Sequence, residues 1–102
     1  MKEILMVVTT ESDENKAKNI AKALVQNKLA ACVSIKKIFS IFKWQGLIEE
    51  TQEFEITIKS KPELKEKIIE FLKKISSYEI TQIIYKKFNS ESNYHEWLNK
   101  TI

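Results

Sequence analysis

Arginine is absent from this sequence of 102 residues, and glycine, proline, cysteine and histidine occur once each, as Gly46, Pro62, Cys32 and His95. A single cysteine excludes an intrachain disulfide and any zinc site built from paired cysteines of one chain. Free cysteine is among the most buried residue types, so Cys32 reads first as a structural thiol. Without arginine there is no bidentate fork for phosphate or carboxylate, which counts against phosphoryl and acyl-phosphate chemistry. One imidazole leaves no pair of histidines to act as acid and base. Long apolar runs are also missing: the opening run, residues 4–8, is too short for a signal-peptide core or for the ~20 residues that cross a bilayer. No membrane span is expected, and the cytoplasm is the expected compartment.

What is present describes a folded chain. Hydrophobic residues make up 43% and charged residues 30%, a balance that disordered and fibrous chains do not have. The length fits one domain over residues 1–102, with no room for a second core. The net charge of +3 comes from lysine alone, and such mild basicity does not point to nucleic acid.

The run Ile4, Leu5, Met6, Val7, Val8 has no alternation and predicts a central strand buried on both faces. Ser12 is placed to cap the helix that follows, whose stripe is Ala17, Ile20, Ala21, Leu24 and Val25. A second strand begins within residues 29–35 and continues to Trp44; Gln45 and Gly46 supply a turn. The return strand, residues 47–59, alternates Phe54, Ile56 and Ile58 with Glu53, Glu55, Thr57 and Lys59, one face buried and one polar. Ser60 and Glu63 have capping-box spacing around Pro62, and Leu64, Ile68, Phe71, Leu72 and Ile75 form the next helical stripe. Residues 78–88 alternate as a fourth strand, and Ser92 is placed to cap a short last helix carrying Tyr94, Trp97 and Leu98. The fold class is therefore α+β: a ferredoxin-like βαββαβ sandwich with both long helices on one sheet face, a long hairpin and a short C-terminal helix.

The hairpin has more apolar surface than such a sandwich can hide. Alternation puts Ile38, Phe42 and Trp44 on one face and Phe39 and Ile41 on the other. Contiguous Phe and Trp side chains rarely stay bare on a soluble monomer. Self-association through Phe39, Ile41, Phe42 and Trp44 is the expectation; the alternative is a hairpin folded back over its own sheet. Glu49, Glu50, Glu53 and Glu55 make an acidic arm, either a solvated face or oxygen donors for hard cations. His95, between Tyr94 and Glu96, reads as a surface residue. No catalytic set with motif context is present, so a binding protein and not an enzyme is expected.

Four segments in register resemble one family. The run LAACVSI after the first helix, the hairpin FKWQGLIEETQEFEITIKS with Trp44, Gly46, Ile48 and Glu53, then SSYEI, then Tyr94, Trp97 and Leu98, are similar to CutA, the divalent-cation tolerance family. The family's pattern at the fourth strand often reads H-P-Y-E-V-P-E-I, where this chain has Ser76, Ser77, Tyr78, Glu79, Ile80, Thr81, Gln82 and Ile83. The resemblance implies a tight homotrimer with an architecture similar to the PII signalling proteins, and a role in tolerance of copper and other divalent metals. It also implies that Cys32, Trp44, Glu53, Lys59, Tyr78 and Glu79 line clefts between subunits. A trimer brings three copies of one ligand together, so Cys32 and His95 stand as metal candidates, copper being the implied ion. The competing reading is a PII-like regulator holding a small anionic metabolite in the same clefts. An RNA-binding sheet needs aromatics on its central strands, and residues 4–8 contain none.

Overall fold

The computed structural model describes residues 2–102. Its elements run β1 (Glu3–Glu11), α1 (Glu14–Gln26), β2 (Cys32–Trp44), β3 (Leu47–Ser60), α2 (Lys65–Ile75), β4 (Ile84–Asn89) and α3 (Ser92–Thr101), with a 3-10 turn at Pro62–Leu64 leading into α2. The sheet is antiparallel throughout in the order β2-β3-β1-β4, the ferredoxin-like arrangement. No helix of the described residues is long and apolar enough to cross a membrane.

The core follows from strand alternation against helical periodicity. Leu5 and Val7 of β1 and Ile56 and Ile58 of β3 point to the helices and meet Ile20 and Leu24 of α1 and Ile68 and Leu72 of α2. On the opposite face Ile4 packs with Ala31 and with Leu98 of α3, which is fully buried. The central strand is thus covered on both faces where α3 lies, whereas Met6 and Val8 further along are only half-buried.

Several helix starts differ from the sequence pattern. Asp13, not Ser12, caps α1 by accepting from the Lys16 N–H at 2.8 Å. Ser60 is the last residue of β3 and its hydroxyl donates to the Leu29 carbonyl at 2.6 Å, so no capping box forms; Pro62, which lacks an N–H, opens the 3-10 turn instead. Glu91 caps α3, its carboxylate accepting from the N–H groups of Asn93 and Tyr94, and Ser92 is already helical. The fourth strand is shorter than its β-rich sequence: residues 78–83 have no regular structure, because the chain must first return from the end of α2 across the sheet.

The β2–β3 hairpin projects and does not fold back. Beyond the last pair between β1 and β3, Glu11↔Phe54, seven two-stranded pairs run from Ile38↔Glu53 to Trp44↔Leu47. At ~3.3 Å per residue the arm extends roughly 20 Å past the sheet, and the molecule measures 45 × 25 × 22 Å. Gln45 and Gly46 both have positive φ, 49° and 81°, as a two-residue primed turn requires, which is where the sole glycine is needed.

Candidate functional site

Directly opposed residues of antiparallel strands share a face, so Ile38 with Glu53, Ser40 with Thr51, Phe42 with Glu49 and Trp44 with Leu47 all lie on the face of the arm away from α1 and α2. Residues 78–82 rise along this face as a second wall, and between wall and arm runs an open groove of about 660 Å3. Its floor is apolar, from Phe42 and Trp44; its charged lining residues are all carboxylates, Glu49, Glu53 and Glu79, beside the neutral Thr10, Ser40, Thr51, Tyr78 and Gln82.

Glu53 is the most enclosed of these carboxylates, only 8% exposed although the strand pattern assigns it to the polar face. The correction comes from Tyr78, which lies over it and donates its phenolic hydrogen to Glu53 Oε1 at 2.8 Å. Burial first, then the hydrogen bond to Glu53 and the charges of Glu53 and Glu11, push the Tyr78 pKa well up, against a smaller opposing effect of Ser12. Tyr78 therefore remains a neutral donor across the physiological range.

Of the residues singled out from the sequence, Phe42, Trp44, Glu53, Tyr78 and Glu79 meet in this groove, and Ile41 also touches it. Phe39 lies on the other face of the arm, opposite Gln52, and is 67% exposed. Cys32 and Lys59 are paired with each other six register positions from Ile38↔Glu53, about 20 Å along the strands, outside the groove. Half-buried Cys32 lies near Tyr94, whose phenol is pushed up by burial and, after that, by Cys32. His95 sits on α3 against the Asn99 side chain, also away from the groove. Among the described residues no three His, Cys, Asp or Glu side chains converge as a metal site within one chain. Glu55 of the acidic arm pairs with Lys36 at 3.7 Å, while Glu50 faces the other side, opposite Ile41.

Glu11 escaped the sequence reading. It is 1% exposed at the end of β1 and accepts from the Ser77 N–H at the foot of the groove wall. Local pattern has no signal for it, since its partner is 66 residues away in the chain.

A family model described as CutA1 divalent ion tolerance protein matches residues 5–101. The "Divalent-cation tolerance protein CutA" of Thermus thermophilus is 35% identical over 98% of this chain and 97% of its own length. The mouse "Protein CutA" is 41% identical over 71% of this chain but only 41% of its own length, so the chain spans less than half of that relative. A solved structure from Archaeoglobus fulgidus, described as a periplasmic divalent cation tolerance protein CutA, superposes with a TM-score of 0.92 at 30% identity, covering 96% of this chain and 97% of that one.

Proposed function

The chain belongs to the CutA1 divalent ion tolerance family, and from that premise we propose that it works as a homotrimer that binds divalent metal, copper among them, without catalysing a reaction. The observation that carries this reading is the bare arm beside an acidic groove. Phe39, Ile41, Leu47 and Ile48 are each about two thirds exposed or more, next to a groove lined by three carboxylates. Bare apolar side chains on both faces of a projecting arm are what a neighbouring subunit covers.

The donor chemistry fits a cation. Carboxylate oxygens suit hard divalent ions, and among first-row divalent metals an oxygen or nitrogen site holds copper most strongly. Because among the described residues no three His, Cys, Asp or Glu side chains converge within one chain, a site with three such ligands draws on more than one subunit. The anionic-metabolite alternative loses ground on charge, since Glu49, Glu53 and Glu79 line the groove and Lys59 lies outside it. Tyr78, held as a neutral hydrogen-bond donor, supplies no acid or base near neutral pH. Our reading of the compartment remains the cytoplasm; the periplasmic description belongs to the Archaeoglobus relative.

The deciding measurement is the mass of the wild-type protein in solution by light scattering, with and without copper(II). A trimer in both conditions is expected, and a stable monomer would overturn the assembly. Copper titration of the Glu49→Gln/Glu53→Gln variant is expected to show at least tenfold weaker binding; unchanged affinity would remove the groove as the site.

A further inference from the structure

The segment that carries the wall of the groove, residues 76–83, lacks the usual means of holding a position. It is neither helix nor strand, and the chain's one proline lies elsewhere, at position 62, so no fixed φ stiffens it. What ties it down is a small set of side-chain bonds, and the most deeply buried member is Glu11. Burying a carboxylate is unfavourable unless its oxygens are hydrogen-bonded, and both oxygens of Glu11 are. Oε1 accepts from the N–H of Ser12 at 3.1 Å, and Oε2 accepts from the N–H of Ser77 at 3.3 Å. Lys16 of α1 donates to the Ser77 hydroxyl from outside. One residue on, Tyr78 donates its N–H to Ser76 Oγ at 3.1 Å and its phenolic hydrogen to Glu53.

Glu11 does not line the groove, and of the two side chains in this set that accept from the segment's backbone, Glu11 and Ser76, it is the more buried. We propose that Glu11 is a positioning residue: its carboxylate seats the backbone of Ser77 and thereby keeps Tyr78 over Glu53 and sets the shape of the groove. An ionised carboxylate suits the place because it is acceptor-only and two backbone donors, Ser12 and Ser77, converge on it. Glu53 cannot replace it, since Glu53 holds the tip of the Tyr78 ring and not the backbone that aims the ring. This inference stands whatever ligand the groove takes, because the contact is complete in the chain alone.

Residue-resolved amide hydrogen exchange on the full chain tests it. In Glu11→Ala the Ser77 amide is expected to exchange about ten- to a hundredfold faster, the effect of losing one hydrogen bond to a charged group, while the Val7 and Ile58 amides of the sheet keep their rates. Glu11→Gln, whose amide oxygen still accepts from Ser77, should recover most of the protection. In Tyr78→Phe, which removes only the bond to Glu53, the Ser77 amide should stay protected. Unchanged Ser77 exchange in Glu11→Ala, or equal loss in Tyr78→Phe, overturns the proposal. Should Glu11→Ala not fold, the other two variants decide: faster Ser77 exchange in Tyr78→Phe than in Glu11→Gln is the overturning result.

Discussion

Truncating Phe39 and Ile41 together to alanine separates the assembly from the fold. In the single chain these side chains are 67% and 64% exposed, so their removal takes little from the chain's own packing. A Phe side chain buries on the order of 200 Å2 when covered, which leaves roughly 130 Å2 for a partner to cover, and Ile41 adds somewhat less. At about 25 cal/mol per Å2, and allowing for the alanine methyl groups that remain, the pair contributes about 3 to 4 kcal/mol to an interface that covers both. That is a loss of two to three orders of magnitude in association constant, at ~1.4 kcal/mol per factor of ten. Sedimentation velocity across a dilution series reads the dissociation. Urea unfolding of the dissociated variant should place its own stability within about 1 kcal/mol of the wild-type subunit's. A variant that dissociates at the wild-type concentration would refute the arm as the interface, and a loss of several kcal/mol in the isolated subunit would show that these side chains serve the chain itself.

Two further outcomes test the packing behind the site. Tyr78→Phe removes a hydrogen bond to a carboxylate that is only 8% exposed and should lower stability by about 1 to 3 kcal/mol at neutral pH. Folding raises the Tyr78 pKa above the ordinary 10.0, so the unfolded chain releases that proton first. Its contribution is therefore full below about pH 10 and declines as pH rises toward the folded value. Urea titrations from pH 8 to 11 should show a steeper decline for wild type than for Tyr78→Phe, and parallel curves would contradict the assignment. Leu98→Ala empties a fully buried position under α3 and should cost about 2 to 5 kcal/mol in urea unfolding; a cost under about 1 kcal/mol would mean that α3 does not close the second face of the sheet.

The fold was legible where one physical rule decided the local structure. The run at residues 4–8 reads as a strand from its apolar, β-branched composition, although its expected burial on both faces holds at Ile4 and not at half-buried Met6 and Val8, and α1 and α2 read as helices from their apolar stripes. The turn at Gln45 and Gly46 was equally open to reading, since the sole glycine sits where φ must be positive. Boundaries were lost where two rules competed. Ser12 and Asp13 are both capping residues, one position apart, and only the path of the chain leaving β1 selects Asp13. Residues 78–83 have a strand's composition, but the chain that leaves α2 at Ile75 has to cross to the sheet before pairing with β1 can begin at Ile84↔Val8.

The site divides along the same line. The grouping of Trp44, Glu53, Tyr78 and Glu79 comes from the resemblance, and the period of two along paired strands explains why Trp44 and Glu53 lie on one face of the arm. Cys32 and Lys59 fall on the same face by the same alternation, yet the length of the hairpin, which spacing also displays, separates them from Glu53 by six register pairs. Face alone does not make a site; distance along the strand must agree as well. Burial of charge is harder to read, because it depends on what arrives from elsewhere. Glu53 looks solvated until Tyr78, 25 positions on, covers it, and Glu11 looks like a strand terminus until Ser77 reaches it across 66 residues. Both carboxylates are enclosed by the same irregular segment, so the part of the chain with the least local structural signal is also the part that shapes the groove.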